Sequence, residues 1–94
     1  MSEITNRDQM PVSEANRFTR LTSTSTVKPA PGAIMGIFVA SASATPTIKV
    51  EDNATAIVNT FTPAQATFYP IPARFGTSLV VTIGGTVDCT VFWS

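Results

Sequence analysis

Histidine is missing from the 94 residues, and cysteine occurs once, at Cys89. The first absence removes imidazole as a general base and as a metal ligand; the second excludes an intramolecular disulfide and any zinc site built on paired thiolates. Charge is also scarce. Six basic residues balance six acidic ones, and together they make up 13% of the chain, about half the usual share near 25%. With no net charge to draw it to nucleic acid or to an anionic membrane, the chain is expected to partner neither. No run approaches the roughly 18 apolar residues of a membrane-spanning helix. The opening stretch MSEITNRDQMPVSEANRFTR has no apolar core of a secretory leader, so synthesis in a cytoplasm is the expectation.

What the chain does have is hydroxyls and β-formers. Hydrophobic residues are 44% of it, enough to bury a core, and serine and threonine together number 23. The length suits one domain. Residues 1–16 are polar, with Glu3, Arg7, Asp8 and Glu14 among them and only Ile4, Met10 and Val12 to bury, and they read as an extended N-terminal arm. Ser13 is placed to cap a short helical turn, though one too short to stand alone.

From residue 17 to 94 the text becomes alternating β-branched and small residues broken by turn signals. The pattern predicts a single small all-β domain, an antiparallel sandwich of about seven strands, jelly-roll or immunoglobulin-like. The strands expected are Phe18 to Lys28 as an exposed edge, Ala33 to Ala42 apolar on both faces and most buried, Thr47 to Glu51, Thr55 to Thr62, Thr67 to Ala73, Thr77 to Ile83 and Thr86 to Trp93. Pro70 and Pro72 confine the fifth to an edge or to irregular extended structure. Gly84-Gly85 reads as the two-residue turn of a terminal hairpin.

Candidate sites are few. Cys89 alternates with Val87 and Val91 on an apolar face; it reads as a small buried hydrophobe, the alternative being a nucleophile for which the spacing gathers no base. Glu51, Asp52 and Asn53 are either a solvated turn or oxygen ligands for a hard cation. Asn53-Ala54-Thr55 fits a glycosylation acceptor, read as accidental where no secretory leader precedes it. Nucleophile, base and orienting group do not converge, so an enzyme is not expected, and no cofactor or metal is implied. The residues expected to meet a partner are Ile4, Arg7, Met10 and Val12 in the arm, Arg17 and Arg20 as ion-pair donors beside it, and Tyr69 and Phe92 as aromatics on the face opposite Trp93. A flat aromatic face also suits a sugar ring.

The segments GIFVASASATPTIKVEDN, Gly36 to Asn53, and FTPAQATFYPIPARFGTSLVVTIGGTVDCTVFWS, Phe61 to Ser94, resemble a group of small virion proteins of tailed bacteriophages. The two segments together cover just over half the chain, and the elements carrying the likeness are the small-residue step into TPTIKV, the FTPA and TFYPIPA passages, and the closing GGTVDCTVFWS. The resemblance implies a capsid cement or decoration protein, made in the host cytoplasm, that binds the major capsid protein on the outer shell of the virion and associates with itself as a homodimer or homotrimer. The alternative it leaves open is a small tail or head-fibre component, including a receptor- or glycan-binding tip. It carries over no catalytic residues.

Overall fold

The computed structural model describes residues 17–94. They form six antiparallel strands in one sheet: β1 (Arg17–Leu21), β2 (Ser25–Lys28), β3 (Gly32–Asp52), β4 (Thr55–Phe61), β5 (Thr67–Phe75) and β6 (Leu79–Trp93). The all-β antiparallel expectation holds, with six strands where about seven were predicted. The arm expected over residues 1–16, and with it Ile4, Arg7, Met10 and Val12, lies outside the described residues.

Two long strands organise everything. β3 and β6 pair from Ile34 opposite Trp93 to Asp52 opposite Leu79. Each then carries two shorter strands along its free edge: β1 and β2 on β6, β5 and β4 on β3. The predicted single strand from Phe18 to Lys28 is therefore two strands, parted at residues 22–24, where Thr24 bonds by its hydroxyl to both the N–H and the carbonyl of Ile83. Likewise, Ala33 to Ala42 and Thr47 to Glu51 belong to one strand. The placing of the proline-bearing strand at an edge is what the structure shows, since β5 pairs with β3 alone.

The largest correction concerns Gly84-Gly85. No hairpin forms there; β6 runs straight through the pair, and Gly84 lies opposite Thr47. What turns is β3. Ser43 is opposite Thr86 and Thr47 opposite Gly84, so four steps on β3 match two on β6, and the two extra residues make a bulge. Ala44 and Thr45 take left-handed backbone angles, φ 56° and 54°. Glycine is needed opposite them: Gly85 itself has φ 69°, and a Cβ there would come within 2.5 Å of the Ala44 and Thr45 carbonyl oxygens.

This corner brings the two ends of the β3–β6 ribbon together. A straight strand as long as β3 would span on the order of 65 Å, yet its first residue pairs with Phe75 while its last, Asp52, holds the residues just after Phe75. The Asp52 carboxylate accepts N–H bonds from Gly76 at 2.8 Å, Thr77 at 3.0 Å and Ser78 at 3.3 Å. Lys28 closes the same end by donating to the Ser94 carbonyl at 3.2 Å. Phe61 of β4 and Tyr69 of β5 meet ring to ring at 5.1 Å.

One face of the sheet supplies the core. Leu79, Val81, Val87, Cys89 and Val91 of β6 interlock with Ile34, Ile37, Val39, Ile48 and Val50 of β3, and Leu21, Ile71 and Phe75 complete the cluster. A second bulge, at Met35, lets Ile34 and Ile37 both face inward. The expectation that Ala33 to Ala42 is buried on both faces is corrected here. Phe38 and Ala40 point outward and are exposed.

The Asp52 clamp predicts a pH effect. Its N–H bonds, that from Gly76 foremost, hold the carboxyl below the ordinary aspartate range against a smaller opposing effect of desolvation. A carboxyl more acidic folded than unfolded contributes stability above its unfolded pKa, and that contribution is lost as pH falls through the folded value. Thermal melts from pH 6 to pH 2 are expected to show Asp52→Asn less stable than the parent at pH 6, with the gap closing below about pH 4. A gap that stays constant with pH would contradict the clamp.

Candidate functional site

The described residues carry three large hydrophobic side chains that are exposed: Phe18 at 74%, Phe38 at 39% and Phe68 at 44%. They lie on one face of one half of the sheet. Strand pairing places them there, because residues directly opposite in antiparallel strands share a face. Phe18 is opposite Phe92; Phe38 is opposite Thr90 on one side and Phe68 on the other. The four phenylalanines thus span β1, β6, β3 and β5 on the surface away from the core.

Gly36 makes the patch continuous. It sits between Phe92 and Pro70 in the pairing, and a Cβ there would come within 2.5 Å of the Phe68 ring. With only hydrogen at that position, Phe68 lies across β3 and meets Phe92 at a centroid distance of 6.2 Å, tilted by 59°. Beside the rings, Arg20 donates a paired hydrogen bond to Asp88, Nε at 2.9 Å and Nη2 at 2.8 Å. The two-pronged contact lowers the Asp88 pKa, chiefly through its hydrogen bond, and raises that of Arg20. The surface is an apolar centre with an ion pair at its margin.

No protein-family model, no curated protein and no solved structure matches the chain. The case for a site therefore rests on geometry.

Of the residues expected to meet a partner, Phe92 and Arg20 fall on this face. Arg17 is an exposed residue of β1 whose guanidinium lies 5.9 Å from the centre of the Trp93 ring. Tyr69 does not join them, and its expected place beside Phe92 is corrected. It is opposite Ile37 on the inner face, its ring against Phe61 and its hydroxyl accepting the Ala64 N–H at 2.8 Å. Trp93 also turns inward, half-buried, donating from Nε1 to the Thr19 hydroxyl at 2.9 Å. Phe18, Phe38 and Phe68 were missed. For Phe18 and Phe68 the alternation carries the signal, since each sits out of phase with the buried residues of its own strand, whereas Phe38 shares the parity of the buried Ile34 across the Met35 bulge.

The other candidates resolve structurally. The Asp52 carboxylate is engaged by backbone N–H groups, and Glu51 lies 3.5 Å from Lys49. Among the described residues no group of three or more acidic or thiol side chains is gathered as metal ligands would be. A shallow cavity of about 270 Å³ beside the Met35 bulge is lined by Ala33, Ile34, Pro72 and Arg74, without a gathered set of reactive groups.

Cys89 is fully buried on the inner face, and burial, reinforced by the nearby Asp88 charge, pushes its thiol up to about 11. Thiolate is the reactive form, so the native protein is expected to resist iodoacetamide at pH 8 and to be labelled only in denaturant. Rapid labelling of the folded protein would contradict this placement. Cys89→Ser, which puts a hydroxyl among aliphatic side chains, is expected to cost about 1–3 kcal/mol in urea unfolding.

Proposed function

We propose that the protein is a decoration protein of a tailed-bacteriophage virion, which binds the outer surface of the major capsid protein shell and stabilises it. The observation that carries the reading is the continuous phenylalanine face, an apolar surface held on rigid strands and bordered by a paired Arg20 and Asp88. The resemblance of Gly36 to Asn53 and Phe61 to Ser94 to small phage virion proteins supplies the class of partner. In this reading the function is binding and not catalysis. Residues 1–16, with Ile4, Arg7, Met10 and Val12, extend the contact across neighbouring coat subunits.

For the architecture, the finer reading is a small sandwich. The contacts that join the ends of the β3–β6 ribbon, with Phe61 against Tyr69, support two halves of the sheet facing each other across the buried side chains. The role of weak contacts then follows from valency: many copies on a repeating shell each bind modestly, and self-association multiplies the effect.

The test is the location and copy number of the chain in purified particles, by reconstruction and quantitative mass spectrometry. The expected result is a large number of copies, on the order of the coat subunits, on the outside of the head. A few copies confined to the tail or to a vertex would replace this reading with a fibre or receptor-binding tip.

A further inference from the structure

The sheet has four outer strands, and three of them are guarded against pairing with another chain. β5 carries Pro70 and Pro72, which have no N–H to offer. β4 is out of regular register with β3 at two places, and β2 is four residues long with a register shift before Lys28. β1 differs. It runs in unbroken register with β6 from Arg17 opposite Trp93 to Leu21 opposite Cys89, has no proline, and among the described residues nothing pairs with its far edge. Bulges, prolines and free charges are the usual protections of an edge. The arginines of β1 are engaged elsewhere, Arg20 by Asp88 and Arg17 over the Trp93 ring, and a large apolar side chain of the strand, Phe18, is 74% exposed.

We infer that two copies of the chain join through the outer edges of their β1 strands, antiparallel and centred on Thr19. The strand is complementary to itself in this register. Phe18 of each copy falls opposite Arg20 of the other, both on the outer face, so that a phenyl ring meets a guanidinium twice about the two-fold axis. Opposed residues share a face, so the two phenylalanine patches merge into one surface of double size facing one way. The inference deepens the proposed function, giving the shell-binding face two equivalent halves. The pairing itself does not depend on what that face binds.

Sedimentation equilibrium of the full chain at micromolar concentration tests it, with two substitutions at the exposed Phe18. The parent is expected to be a dimer. Phe18→Lys sets like charges opposite Arg20 and is expected to weaken the dimer by about tenfold or more, whereas Phe18→Glu sets an acid opposite Arg20 and keeps it. Phe68→Ser, away from the edge, is expected to remain dimeric even where it loses shell binding, which separates failure of the dimer from failure of the functional reading. A monomeric parent, or equal behaviour of the Lys and Glu variants, would overturn the inference. So would a monomeric parent that dimerises on removal of residues 1–16, an outcome that assigns the β1 edge to the chain's own N-terminal segment.

Discussion

Gly85→Val is expected to be the most damaging single substitution in the described fold. A left-handed backbone costs an ordinary residue about 1–2 kcal/mol, more for a β-branched one, and here the added Cβ also meets two carbonyl oxygens at 2.5 Å. The corner cannot move aside, because the Ala44–Thr45 bulge it faces is what brings Asp52 back to Gly76. A loss of about 3 kcal/mol or more is expected, a drop in Tm of roughly 12 °C or more for a domain of this size. Gly76→Ala is the control. A Cβ there would meet only the Asp52 carboxylate, at 3.8 Å, and the expected change is within about 0.5 kcal/mol. Similar melts for the two variants would show that Gly85 is not pressed against a corner of β3.

The second large effect is on binding. Replacing Phe38 and Phe68 together by serine removes the middle of the aromatic face while leaving every core residue in place. Stability is expected to change little, by about 1 kcal/mol for the lost contact between Phe68 and Phe92. Binding to shells that lack the protein is expected to fall by on the order of 100-fold or more, since central aromatic anchors each contribute roughly 2 kcal/mol to an interface. Pull-down of the variant with shells over a range of concentrations measures this. Full binding by a stably folded double variant would remove the face from the functional account.

The sequence was most legible where period and burial coincide. The alternation of Leu79, Val81 and Ile83, and again of Val87, Cys89 and Val91, identified strands and their inner face correctly. The connection between the two runs is where the pattern is ambiguous. A glycine pair suits both a tight turn and a close approach of another backbone, and in this fold Gly85 serves the second. The phase distinguishes the two. In a two-residue hairpin Ile83 would be opposite Thr86 and share its face, shifting the inward set to even numbers, whereas the buried residues of β6 stay odd from Leu79 to Val91.

The candidate site was legible for similar reasons and in a similar measure. Phe92 was assigned to the outer face because it alternates with Trp93, and the structure places it there. Tyr69 could not be assigned by the same route, since its neighbours Pro70 and Pro72 carry no periodic signal of burial. Phe38 was hidden by a strand that looks apolar on both faces; only the bulge at Met35, which no local pattern announces, shows that Ile34 belongs inside and Phe38 outside. The role of Asp52 depends on residues 24 to 26 positions away, beyond any motif.

The central claim, that the phenylalanine face is the docking surface, is tested most directly by carbene footprinting of the free protein and of purified particles. Phe18, Phe38 and Phe68 are expected to be labelled in the free protein and protected in the particle, while the exposed Ala56 and Asn59 of β4 stay labelled in both. Equal labelling of the three phenylalanines in the two states would contradict the claim.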